Sequence, residues 1–134
     1  MSSTINQFTK NERICSDTQI DQLFKQGNAF VCYPFLVQWV ETEKVPDPLV
    51  KVLISVSKKK LHHAVDRNRA KRQTREAYRQ NKQVLYNSLA DTGRSLNIAF
   101  VWLSGEPVEF NRITRKMSEA LDKIAFQIEK ITTI

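Results

Sequence analysis

The sequence predicts an α+β fold, a two-layer sandwich in which helices cover one face of a small mixed sheet, with elements in the order αββαβα. Three observations carry this. Apolar residues alternate in short stretches near 30–41 and 50–57, and a β-rich run fills 96–103. From residue 110 they recur every three or four positions instead, and helix start and stop signals flank the segments between. A chain of 134 residues, 41% hydrophobic and 26% charged, suits one domain over 1–134, with 1–13 expected as a flexible N-terminal segment.

The elements are taken in chain order. Ser16 with Gln19 three residues on resembles a capping box, Ile20, Leu23 and Phe24 fall at helical spacing, and Gly27 is a stop signal, so a helix of about ten residues is expected. Residues 30–41 place Val31, Tyr33, Phe35, Val37 and Trp39 on one face and Phe30, Cys32, Leu36 and Gln38 on the other, which reads as one long strand. Two prolines in 42–48 suit a surface connection between antiparallel strands. A second strand then sets Val50, Val52, Ile54 and Val56 against Lys51, Leu53, Ser55 and Ser57.

A basic helix is expected over about 65–87, ended by Asp91, Thr92 and Gly93. The run LNIAFVWL at 96–103 reads as a central strand. Ile113, Met117, Leu121, Ile124, Ile128 and Ile131 form a continuous apolar stripe on a last helix that covers the sheet. The mixed strand faces, with Leu36, Gln38, Leu53, Ser55 and Ser57, are left either for a partner or for cover by the first helix.

Charge points to function. Residues 58–79, KKKLHHAVDRNRAKRQTREAYR, hold nine Lys/Arg against Asp66 and Glu76, which accounts for the whole net charge of +7. At 100° per residue Arg67, Lys71, Arg72, Arg75, Arg79 and Lys82 share an arc of about 140°, with Asn68 among them and Arg69 at its edge. Like charges at i and i+4 cost about 0.2–0.5 kcal/mol each in a helix, and Arg67–Lys71–Arg75–Arg79 stacks three such pairs. Phosphates offset that repulsion through guanidinium contacts and counterion release, so the face reads as a nucleic-acid contact rather than a solvated surface. The opposite face, Ala70, Gln73, Ala77 and Val84, has no Leu, Phe or Trp with which to enter a membrane. RNA is favoured over DNA because the motif matches no helix-turn-helix, zinc finger or basic zipper.

Other classes find little support. No apolar run approaches the roughly 20 residues of a membrane span, and MSSTINQFTKNER lacks a signal-peptide pattern, so a cytoplasmic location is expected. Cys15 and Cys32 are isolated and read as reduced thiols, with a disulfide between them the minor reading. His62 and His63 lack further ligands in the sequence around them, so no metal site is expected and phosphate contact is the favoured role. No paired carboxylates, Ser-His-Asp set or Gly-rich phosphate loop is assembled, so no catalytic residue is expected.

SVSKK at 55–59 followed by AVDRNRAKRQTREAYR at 64–79 resembles the signature of the bacterial ribonuclease P protein subunit family. The similarity extends through FTKNERICS, LFKQG, the hydrophobic hairpin, LNIAFVWL and the long last helix. It implies a protein cofactor that joins a catalytic RNA in removing the 5′ leader of precursor tRNA, with the chemistry and its Mg²⁺ belonging to the RNA. It implies that Lys58, Lys59, Arg67, Asn68, Arg69, Lys71, Arg72 and Arg75 contact the RNA subunit, and that Ile20, Phe24, Leu36, Gln38, Ser55 and Ser57 line a leader-binding cleft. It also implies a left-handed crossover between the second and third strands. Two departures stand out: Lys60, Leu61, His62 and His63 make the loop before the signature one residue longer, and Ala70, Gln73 and Thr74 replace branched apolar residues, predicting looser packing there. The competing readings are an RNA-binding structural or ribosome-associated protein and a stand-alone nuclease.

Overall fold

Gly27 sets the start of the architecture. In the computed structural model, which describes residues 12–14, 17–43, 49–90 and 92–132, Asp17–Gln26 form helix α1 and the Gly27 amide donates to the Leu23 carbonyl at 3.1 Å. A Cβ at Gly27 would lie 2.3 Å from that oxygen, so only glycine lets the chain turn directly into the sheet. The expected Ser16 cap and Cys15 lie outside the described residues.

The single strand expected over 30–41 is two. Strands β1 (Asn28–Cys32) and β2 (Phe35–Glu43) pair antiparallel through a tight turn at Tyr33 and Pro34. Proline lacks the N–H that a continuing ladder needs, and the sequence reading passed over it. The turn also resets the alternation. Cys32 pairs with Phe35 and Phe30 with Val37, so Phe30 and Cys32 pack on the same core as Phe35 and Val37, and Val31 is 64% exposed.

Strand β3 (Val50–Ser55) does not neighbour β2. Strand β4 (Arg94–Trp102) lies between them, giving the order β1-β2-β4-β3, with β4 antiparallel to β2 and parallel to β3. The run Leu96–Ala99 and Phe100 is wholly buried, and such a strand needs neighbours on both edges. At its start Gly93 adopts φ +70°, and Thr92 accepts from the Arg94 amide at 3.1 Å.

The expected basic helix is also two pieces, α2 (Ala64–Asn81) and α3 (Gln83–Leu89). At the break the Asn81 side-chain amide donates to the Ala77 carbonyl at 2.7 Å, the local competition that weakens a helix ladder, and Lys82 turns inward. The order is therefore αβββααβα. Helix α4 (Phe110–Thr132) follows as expected.

One face of the sheet carries the main core. Val37, Trp39, Val52, Ile98, Phe100 and Trp102 pack against Ile113, Met117, Leu121, Ile124 and Ile128 of α4, with Tyr78, Leu85 and Leu89 from α2 and α3. The other sheet face is partly covered, one of the two alternatives the sequence left open. Leu23 of α1, with Ile14 and Ala99, forms a second cluster, joined by Ile20, Val40 and Leu53. No helix among the described residues is long and apolar enough to cross a membrane.

Candidate nucleic-acid interface

The basic surface is organised by the loop before α2. The Ser57 carbonyl accepts from the amides of Lys60 (3.2 Å) and Leu61 (3.1 Å), and its hydroxyl also accepts from Lys60. Leu61, only 3% exposed, plugs the loop into the core, which fixes the path of the one-residue-longer segment. Arg67 then reaches back, donating from Nη1 to the carbonyls of Leu61 (3.0 Å) and His62 (2.8 Å). Arg67 thus ties the loop to α2, leaving Lys58, Lys59 and Lys60 exposed just before the helix.

Helix α2 lies against α4 and β3 through Ala70, Thr74, Ala77 and Tyr78. The sequence reading missed Tyr78, which is wholly buried, 6.1 Å from the Phe100 ring centroid, its hydroxyl pKa pushed well up by burial. Small residues at 70, 74 and 77 bring the backbone close and the tyrosine supplies the apolar area. At the positions where looser packing was expected, Ala70 and Thr74 are buried, with the Thr74 hydroxyl donating to the Ala70 carbonyl at 2.7 Å, and Gln73 stays half-buried.

Two members of the predicted arc leave it. Lys82 is 2% exposed and ion-paired with Glu12 at 3.0 Å, so it does not belong to the outer surface. Arg79 closes on Glu76, with Nε 3.0 Å from Oε2, and this contact holds the Glu76 carboxyl below its usual range. Asn68, Arg69 and Arg72 are exposed, and Lys71 and Arg75 half-exposed. Among the described residues no carboxylate pairs with Arg69, Lys71, Arg72 or Arg75. Arg13, bridged to Val52 at the β3 edge, lies close enough to Arg75 that, after burial, it is the second cause pushing the Arg75 pKa down. Sequence reading did not single out Arg13, because its approach to α2 is long-range.

The sheet face under α1 forms the second part. Strand register places Val31, Leu36, Val101 and Ser55 in one row across all four strands, and Ala29, Gln38, Ala99 and Leu53 in the next. Helix α1 covers the Ala99 end of this face; Leu36, Val101 and Ser55 remain half-exposed. Both readings left open therefore hold in part, cover by the helix on one side and a free row on the other. Ile20 is half-buried in the α1 cluster, Phe24 is 44% exposed, and Ser57 lies beyond the row in the exposed turn. Gln38 Oε1 and Asn97 Nδ2 are buried on this face and make no hydrogen bond within the described residues, a desolvation cost that those residues do not offset.

His62 and His63 are exposed, and the described residues contain no group of three or more His, Cys, Asp or Glu able to hold a metal.

Fold and surface define the class first: a small α+β nucleic-acid-binding protein with an arginine-rich helix on one side and a partly open sheet face on another. A sequence profile of the family Ribonuclease P matches residues 8–125. The ribonuclease P protein component of Porphyromonas gingivalis is 38% identical over 117 residues, covering 87% of this chain and 85% of that protein. That of Chlorobium phaeobacteroides is 38% identical over 110 residues, covering 75% of each. The solved ribonuclease P protein of Thermotoga maritima superposes with a TM-score of 0.65 at 24% identity, covering 84% of this chain and 96% of that one, a likeness of fold. The chain belongs to the ribonuclease P protein family.

Proposed function

We infer that this chain acts as the protein cofactor of ribonuclease P in tRNA processing, a subunit of an endoribonuclease whose bond-breaking belongs to RNA. The observation that carries the reading is the cationic surface of α2, where Arg69, Lys71, Arg72 and Arg75 have no carboxylate partner among the described residues, in a chain of this family. Lys58, Lys59, Asn68, Arg69, Lys71, Arg72 and Arg75 dock on phosphates of the catalytic RNA, and Arg67 holds the loop that presents the lysines. The row Leu36, Val101 and Ser55, beside Phe24 and Ile20 and next to the unsatisfied Gln38 Oε1, takes the single-stranded 5′ leader of precursor tRNA by stacking and backbone contact. Ser57 borders it through the turn. Mg²⁺ sits with the RNA subunit and substrate. The protein's own contribution is orientation and charge neutralisation, and the setting is cytoplasmic.

The test is reconstitution. Protein added to its cognate RNA at physiological salt is expected to increase precursor-tRNA affinity and cleavage. Cleavage by protein and Mg²⁺ without RNA would overturn the cofactor reading in favour of a nuclease. No change in affinity or cleavage on adding the protein would favour an RNA-binding protein without a catalytic partner.

A further inference from the structure

Gln73 occupies a position where an apolar residue was expected, and it is not in the core. It lines an open groove of about 710 Å³ between α2 and the start of α4, together with Arg69, Arg72, Glu76 and Phe110. The volume falls within the usual range of small-ligand sites. This groove is separate from the sheet face, sharing no residue with the row Leu36, Val101 and Ser55.

The lining has a specific chemistry. Phe110 rests on the core yet remains half-exposed, so it offers an aromatic surface held in place from behind. Arg69 and Arg72 are exposed and have no carboxylate partner among the described residues. The acid in the groove is already engaged: Glu76 accepts from Arg79, and from Gln80 at 3.1 Å. An aromatic face, two available guanidinium groups and one neutral amide with both donor and acceptor match the stacking face, the phosphate and the edge of a nucleotide.

We propose that the groove formed by Arg69, Arg72, Gln73 and Phe110 seats one unpaired nucleotide of the RNA subunit, stacked on Phe110 and hydrogen-bonded at its edge by Gln73. This rests on the cofactor reading above and adds a non-ionic anchor to the ionic surface of α2. The occupant is RNA because the available charge is positive and the apolar element is a single ring. A peptide-binding groove would need a longer apolar floor.

Three proteins are compared for binding to the cognate RNA subunit across a salt series: wild type, Gln73→Leu and Phe110→Leu. Each variant is expected to lose between about fivefold and a hundredfold in affinity, the range of one stacked or edge-bonded base. The slope of log affinity against log salt should stay that of the wild type, because neither variant alters a charge. Base-specific chemical probing of the RNA is expected to show one nucleotide protected by wild type and exposed again with Gln73→Leu. Gln73 is half-buried at the surface, so this variant reports binding without loss of the fold even if Phe110→Leu lowers stability. Wild-type affinity for Gln73→Leu, or no nucleotide whose protection depends on it, overturns the proposal while leaving the cofactor reading intact. Failure of the wild-type protein to bind the RNA at all overturns both.

Discussion

Lys82 Nζ lies 3.0 Å from both carboxylate oxygens of Glu12, and the two side chains are 3% and 5% exposed. The Tyr86 hydroxyl donates to the same carboxylate at 3.1 Å. The pair joins residues 70 apart in sequence, fastening the segment ahead of α1 to the α2–α3 break. It also explains why that break occurs at Lys82: a lysine on the outer arc would continue the helix, whereas this one is drawn inward by a buried anion.

Glu12→Gln is expected to destabilise the fold by about 3 to 5 kcal/mol, because it leaves a buried ammonium facing a neutral amide. Replacing both partners, Glu12→Leu with Lys82→Met, should recover most of that loss, since no charge is then left in the interior. Urea unfolding midpoints decide the matter. A Glu12→Gln protein as stable as wild type would mean that solvent reaches the pair. The double variant should also keep the wild-type salt slope for RNA binding, because Lys82 is buried and absent from the outer surface of α2.

Arg67 and Arg72 looked equivalent by their place on the helix arc but should behave differently. Arg72→Ala removes one exposed guanidinium and is expected to flatten the salt slope of RNA binding by about one, with the unfolding midpoint unchanged. Arg67→Ala also releases the Leu61 and His62 carbonyls, so it should cost about 1 to 3 kcal/mol of stability besides weakening RNA binding. Both bonds come from the single nitrogen Nη1, so Arg67→Lys, whose ammonium also carries several donors, should restore part of the loss. Identical unfolding curves for Arg67→Ala and wild type would remove the loop-fastening role.

Periodicity and composition made the helices at 17–26 and 110–132, the central strand and the cationic face readable, because each is dictated by contacts within a few residues. The failures are of two kinds. Pro34 was a local signal, legible in principle but outweighed by a long alternating pattern that ran through it. Lys82 and Arg13 were not legible, because their roles depend on Glu12 and Arg75, residues brought near only by the tertiary fold. The sequence marked β4 as a central strand, but its adjacency to both β2 and β3 is set by burial of the whole sheet, not by turns between successive strands. The residues carried by the resemblance lie on α2 and the loop before it, on α1, and on one sheet face with the turn beyond it, and spacing alone gave no reason to join the row Leu36, Val101 and Ser55.

Gly27→Ala tests how closely α1 is held to the sheet. The new Cβ would lie 2.3 Å from the Leu23 oxygen and 3.0 Å from the Trp39 oxygen, both backbone atoms that cannot rotate away. The end of α1 must therefore shift, at a cost of about 1 to 3 kcal/mol. Because α1 also forms one side of the proposed leader cleft, affinity for precursor tRNA should fall more than affinity for mature tRNA. Equal loss for both substrates would separate the helix position from leader binding.

Phe24 is the sharper probe of the same cleft. Its ring is 44% exposed, while the neighbouring Leu23 is fully buried and anchors α1, so truncating Phe24 removes an aromatic face with little loss of core. Phe24→Ala is expected to weaken holoenzyme binding of precursor tRNA by about 1 to 3 kcal/mol, the contribution of one base–aromatic stack. Binding of leaderless tRNA should be unaffected, and Phe24→Tyr should retain most of the affinity because it keeps the stacking surface. The measurement is a paired titration of the holoenzyme with the two tRNAs at fixed salt. If the loss persists with leaderless tRNA, the ring supports the helix and does not touch the leader.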